Sequence, residues 1–418
     1  MKIHALRETV LSEVHARPFA PVEIGTRILH LGFVNLPDGD PRGDLARWCE
    51  TEGFPPPPPG AKHHAAIGAA ADVSWEQHTE FVTLTLRLRQ PVEPFAPIDD
   101  VIRKLKTNPP SQGELLVAVD MHLVESRHEA GAEKLFDDAS LIMSQVQEGA
   151  ALVVTDLKTN ADGFVRWLVV DRRLSSRQAG ALTQRLLEIE TYRTFALLGL
   201  PEAQRVSPAL REIEISLAGI SDEMTRTEGL EANNRLLDQL TGLASRLEAD
   251  AARSAYRFGA SRAYQEIVRQ RLAIIGEEPV GEGATIAAFL ERRVAPAMRT
   301  CQTTQDRQAD LSRKLTRAAN LLRTRVDVEL ERQNRDLLAA MNDRTRLQLR
   351  LQQTVEGLSV AAISYYVVGL FSYLAKAAKD AGLVPVDPNV LTGFFVPLAI
   401  LGVWAALWRI RRTHRDGA

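Results

Sequence analysis

The chain has 418 residues, 51 Lys and Arg against 53 Asp and Glu, and a formal net charge of −2. The length is enough for two soluble domains with further helices, and the near-neutral balance excludes the global basic field of a nucleic-acid binder. Cys49 and Cys301 are too few for a disulfide framework and are expected as small buried hydrophobes, and the start, MKIHALRETVLSEVHARPF, offers no apolar signal core.

Residues 1–173 read as an α/β domain. Thr26–Val34 (TRILHLGFV) predicts a strand. In Thr79–Arg89, Phe81, Thr83 and Thr85 alternate with Val82, Leu84, Leu86 and Leu88, the period-2 pattern of a half-exposed strand. Glu114–Val124, Ala151–Leu157 and Gly163–Asp171 are three more strands, the last two joined by a turn at Lys158–Asp162. Asp40–Cys49 and Pro97–Lys106 suit short helices, and the run Pro55–Pro59 suits an exposed polyproline segment.

From Ser175 the pattern is helical. Ser175 or Ser176 caps a helix over Gln178–Leu198, and Pro201 and Pro208 are expected to break the chain after it. Leu236, Leu240, Leu243 and Leu247 repeat as a short coiled-coil seam within a helical domain spanning 174–284. Glu277–Gly283 (EEPVGEG) is a turn. From Thr285 to Gly357 there is no glycine and one proline, Pro296, which predicts one long stalk helix over 285–356, with Pro296 as the place for a kink, running into the next segment, roughly 135 Å in all at 1.5 Å per residue.

Two uncharged runs follow, Gly357–Ala375 and Val390–Trp408, each of about the length that crosses a bilayer as a helix. They predict a transmembrane hairpin, with spans 357–376 and 390–409, a loop at 377–389 and a basic tail at 410–418. Arg344, Arg346 and Arg350 precede the first span, and Arg409, Arg411, Arg412 and Arg415 follow the second, whereas Lys376 and Lys379 in the loop are balanced by Asp380 and Asp387. This asymmetry places both termini in the cytoplasm of a multi-pass protein of the inner membrane. Trp404 and Trp408, followed by Arg409, Arg411 and Arg412, read as interface anchors. In the first span Ser359, Tyr366 and Tyr373 recur every seven residues, interleaved with Ala362 and Gly369. That small and polar seam calls for a protein partner or water, because lipid cannot pair it. It either lines a pore on a symmetry axis or packs on the second span. No acidic residue lies inside either span, so a cation pore would rest on hydroxyls, carbonyls or an end ring such as Glu356.

Candidate chemistry elsewhere is sparse. Glu13, His15, Arg17 and Pro18 in EVHARPF form the most distinctive soluble motif, suited to an anion or metal or to an ion-paired arm. His63, His64, His78, Glu80, His122 and His128 show no zinc-type spacing. Gly281–Thr285 (GEGAT) precedes a helix but lacks the lysine and spacing of a P-loop, and no nucleophile elbow is present. No catalytic, cofactor or metal residue is therefore assigned, and the chain is not expected to be an enzyme.

Three segments, Arg7–Phe19 (RETVLSEVHARPF), Leu187–Pro201 (LEIETYRTFALLGLP) and Gln352–Tyr366 (QQTVEGLSVAAISYY), resemble a bacterial family of predicted membrane-anchored proteins, that of domain of unknown function 3422. The resemblance covers essentially the whole chain and implies no activity. The layout is also similar to CorA-type magnesium channels: a cytosolic α/β domain, helices, a stalk helix entering the membrane, a short outer loop and a second span. Those channels carry a Gly-Met-Asn triplet at the outer end of the first span, and Leu374–Val390 has none here. Two readings follow. One is a homo-oligomeric ion channel or transporter whose first span lines the pore, with the bilayer, further copies of the chain and an inorganic ion as partners. The other is a non-conducting scaffold anchored at the inner face of the membrane.

Overall fold

Nine strands form one mixed sheet in the computed structural model, which describes residues 3–4, 7, 11, 19–89, 93–281, 283–382 and 385–415. They are β1 (Arg27–Val34), β2 (His63–Ile67), β3 (Ala71–Gln77), β4 (Phe81–Leu88), β5 (Glu114–Val124), β6 (Ile142–Val146), β7 (Ala151–Thr159), β8 (Val165–Asp171) and the two-residue β9 (Glu278–Pro279), in the spatial order β2-β3-β4-β1-β5-β8-β7-β6-β9. Only β5 and β8 pair in parallel. The five expected strands are all present; β2 and β6 are shorter, and β3 carries a weaker apolar run. At the β7–β8 turn Asn160 Oδ1 accepts from the backbone N–H groups of Asp162 and Phe164 at 3.0 and 2.9 Å, an Asx turn that fixes the connection.

Helices cover both faces. On one face α1 (Pro41–Glu52) and α2 (Asp99–Thr107) bring Leu45, Trp48, Cys49 and Ile102 onto Leu29, Leu31, Trp75 and Leu84. Asp40 caps α1, Pro41 opens it where no N–H is needed, and Gly53 ends it at φ 78°. The opposite face is covered by α3 (Ser176–Leu197), whose Leu182, Leu186, Ile189 and Phe195 meet Ile28, Phe81, Val119 and Trp167. Ser175 and Gln178 form a reciprocal capping box at its start. Burying such side chains is worth roughly 1.5–3 kcal/mol each, so the two faces supply most of what holds this sheet together.

The strap Ala20–Val22 runs along α3, with the Val22 N–H donating to the Ser176 carbonyl at 2.9 Å. A Cβ at Gly180 would stand 2.0 Å from the Ala20 carbonyl oxygen, which is backbone and has nowhere to move. Gly180→Ala is therefore expected to cost about 1–3 kcal/mol in urea unfolding; an unchanged midpoint would remove the close approach from the account.

The remaining helices are α4 (Gly199–Arg226), α5 (Leu230–Ile275), α6 (Ile286–Arg293), α7 (Ala295–Asp380) and α8 (Pro388–Arg415). The chain breaks at Leu198 and Pro201 sits in the first turn of α4, where its missing N–H is not required, as expected; Pro208 does not break the chain and is accommodated inside α4. The stretch expected as one helix with a kink at Pro296 is interrupted at Val294, two residues before that proline, into α6 and α7.

The chain falls into two compact units, Met1–Arg226 with Asp238–Ala319, and Thr227–Leu237 with Asn320–Ala418. In the first, α5 is tied to α3 by an Arg271–Glu188 ion pair and to the β3–β4 turn by Arg257 on Glu80. Ala203, Phe258, Met298 and Cys301 form a separate core where α4, α5 and α7 meet. Cys49 and Cys301 are both free and buried, and burial pushes both thiols up, Cys49 to about 11. Leu236, Leu240, Leu243 and Leu247 are all buried on α5. The second unit contains the later part of α7 and α8. Gly382, at φ 76°, closes α7, and Asp387 starts α8 by accepting from the Asn389 N–H at 2.9 Å.

Candidate functional site

In the second unit, α7 and α8 each contain a segment long and apolar enough to cross a membrane. They pack through Ser364 and Ala399, which are 4% and 6% exposed, and through Phe371 and Phe395, whose rings stack at 3.8 Å. The five seam residues are on the other side of α7. At about 100° per residue, Ala362, Tyr366 and Tyr373 lie within about 20° of the line opposite Ser364, and Ser359 and Gly369 within about 40°. Tyr366 and Tyr373 are 70% and 78% exposed, Ala362 is exposed, and Ser359 and Gly369 are half-buried. The Ser359 hydroxyl is satisfied within the helix, donating to the Val355 carbonyl at 2.9 Å. The seam is thus not the surface by which the two apolar helices hold each other. Trp404, Trp408 and Arg409 are exposed near the end of α8; Arg411 and Arg412 belong to the same helix, and their side chains are outside the described set.

In the first unit, the polar side of β4 does not face solvent as its alternation predicts. Thr83 and Thr85 are 6% and 9% exposed. Beside them the sheet and α3 enclose a cavity of about 70 Å3. Its floor is the inward parity of three adjacent strands: His30 from β1, Ser74 and Glu76 from β3, and Thr83, Thr85 and Arg87 from β4. Gln184, Glu188 and Thr191 of α3 form the opposite wall. His78 stacks on Phe81 at 4.2 Å, and Phe81 on Phe195 at 4.1 Å, so an aromatic column borders it.

Hydrogen bonding fixes the state of His30. Thr191 Oγ1 gives its proton to the Leu187 carbonyl at 2.8 Å, so at 3.0 Å it accepts from His30 Nε2–H. Nδ1 is then the acceptor for the Thr85 hydroxyl at 2.8 Å. Burial first, then the charges of His78 and Arg87, bring the His30 pKa down to about 3, so the ring is neutral at pH 7. Arg87 is half-buried and donates to Ser74 Oγ at 3.3 Å; burial pulls its pKa down more than Asp72 and Glu76 hold it up. The Thr83 hydroxyl has no hydrogen bond among the described residues. Sequence reasoning passed over His30, Arg87 and Thr191. The only signal was polar residues at one parity of adjoining strands, which also describes a solvent face.

Other predicted residues lie apart. Glu13, His15, Arg17 and Pro18 lie outside the described residues. Phe19, which follows them, is described, with Arg185 over its ring at 5.2 Å. His63 and His64 belong to the edge strand β2, His128 is half-buried, and His122 Nε2 stands 3.4 Å from Asp120 in a separate buried cluster. Among the described residues no group of three His, Cys, Asp or Glu side chains is arranged as metal ligands. The amides that open α6 are occupied, Ile286 and Ala287 donating to the Glu277 carboxylate at 2.8 and 2.6 Å.

A family model described as protein of unknown function (DUF3422) matches residues 2–414. The chain belongs to the DUF3422 family. Among curated proteins no relative matches it. Of the three segments that carried the DUF3422 resemblance, Leu187–Pro201 supplies the Thr191 and Tyr192 wall of the cavity, and Gln352–Tyr366 carries the first half of the seam on α7.

Proposed function

We propose that this DUF3422 protein is a multi-pass protein of the cytoplasmic membrane that assembles from several copies and conducts an ion, with α7 lining the path. The carrying observation is the position of Ser359, Ala362, Tyr366, Gly369 and Tyr373 opposite the face that α7 uses against α8. In a hairpin set into lipid, a polar and small-residue face that its own partner helix leaves uncovered favours contact with other copies or with water. The chain order of sheet, helices, long helix and hairpin supports a CorA-like layout, and arginines flanking both spans support cytoplasmic termini. Without a Gly-Met-Asn triplet, magnesium is not the proposed ion. The reading assigns no catalysis and no cofactor.

Two measurements test it. Ala362→Cys in native membranes is expected to give a cross-linked dimer under mild oxidation, since identical faces meet at the axis; a monomer only would defeat self-association through this seam. In reconstituted vesicles the wild type is expected to pass a monovalent or divalent cation, and Tyr366→Ala to change that flux several-fold. Absence of wild-type flux for every ion tried would overturn conduction. With cross-linking intact, that result would leave the anchored scaffold as the function.

A further inference from the structure

The cavity between β1, β3, β4 and α3 has the marks of a site rather than of a packing defect. Empty voids in protein interiors are apolar and dry, whereas this one is walled by hydroxyls and charges that suit water or a polar ligand. Most of those groups are satisfied by one another: His30 by Thr85 and Thr191, Thr183 by the Ala179 and Gly180 carbonyls, Glu188 by Gln184 and Arg271. Two are not. The Thr83 hydroxyl, on a residue 6% exposed, meets no hydrogen-bonding group among the described residues. The Arg87 guanidinium, with five N–H donors, makes one hydrogen bond, the 3.3 Å contact to Ser74 Oγ. Both groups therefore keep hydrogen-bonding capacity free at the cavity wall, where water or a ligand that accepts hydrogen bonds can take it.

We propose that this cavity binds a small organic carboxylate, its oxygens taking the Arg87 guanidinium and the Thr83 hydroxyl. A planar carboxylate matches the fork of a guanidinium. A dianion such as phosphate is disfavoured, because Asp72 and Glu76 lie near enough to Arg87 to influence its charge and would repel the second negative charge more strongly. The space is small: a volume of about 70 Å3 gives room for roughly five non-hydrogen atoms, the size of propionate or glycine. This site stands independently of whether α7 conducts.

The test is calorimetric titration of the full chain, purified in detergent, with glycine, propionate, ethylamine and inorganic phosphate. Glycine and propionate are expected to bind and ethylamine and phosphate not to. Arg87→Gln is expected to weaken carboxylate binding by roughly tenfold or more, the loss of a charge-assisted hydrogen bond. Thr83→Val keeps shape and burial while deleting the hydroxyl, so it decides the matter if Arg87→Gln does not fold; its expected effect is a several-fold loss. Glu76→Gln should tighten propionate binding, a gain that a damaged fold would not produce. The proposal is overturned if neither carboxylate binds, if phosphate alone binds, or if a folded Arg87→Gln or Thr83→Val variant binds both acids as the wild type does.

Discussion

Asp120→Ala is expected to destabilise the sheet unit by about 3–5 kcal/mol, a large share of the roughly 5–15 kcal/mol that holds an ordinary domain folded. Asp120 on β5 and Arg27 on β1 form a bidentate pair at 2.8 and 2.7 Å, with each residue 4% exposed. Arg27 also donates to the Ala96 carbonyl at 2.6 Å, holding the chain before α2 against the end of the sheet. Burial pushes the Asp120 carboxyl up, but His122 and Arg27 beside it more than reverse this and hold it below the usual carboxylate range. Truncation would leave the guanidinium buried with no countercharge, and that uncompensated charge accounts for most of the cost. Replacing both partners, as in Arg27→Met with Asp120→Leu, is expected to cost far less than either single change. Urea unfolding of the two singles and the double decides it; an additive double would show the pair to be unimportant.

Stability is expected to fall as the solution is acidified from about pH 6.5 toward 3, by about 1.4 kcal/mol per pH unit for His30 alone. In the fold His30 stays neutral down to about pH 3, whereas the unfolded chain takes up a proton near 6.5. Through that window the unfolded state binds more protons, so stability rises with pH and is lost on acidification. Protonation would also cost the bond from Thr85, since Nδ1 could no longer accept it. His122, lowered chiefly by burial, acts in the same direction. Asp120, with its folded pKa depressed, adds a further loss below about pH 4. Unfolding midpoints at pH 7, 5.5 and 4.5 should show the slope, and His30→Gln should flatten most of it. An equal slope in that variant would assign the acid sensitivity elsewhere.

Local patterns made much of the architecture legible. Short apolar runs in Thr26–Val34, Glu114–Val124 and Gly163–Asp171 and the alternation in Thr79–Arg89 read as strands, and a capped 3.6-residue pattern after Ser175 reads as a helix. Proline was a mixed sign: the interruptions at Leu198 and Val294 lie just before Pro201 and Pro296, but at Pro208 helix packing outweighed a single lost hydrogen bond. The seam of Ser359, Tyr366 and Tyr373 was visible as a period, but which way it faces was not, since period alone cannot say where α8 packs.

The sequence by itself determined the strands, the helices and the two uncharged runs, because each depends on side-chain order within a few turns of one segment. Only the tertiary structure decided what the polar parity of β4 does. Thr83, Thr85 and Arg87 carry the pattern of a wet surface, and whether that surface meets water or α3 depends on residues about a hundred positions away in sequence. His30 shows the same dependence: its charge, its tautomer and its share of the acid response come from Thr85 and Thr191, which it reaches only after the chain has folded.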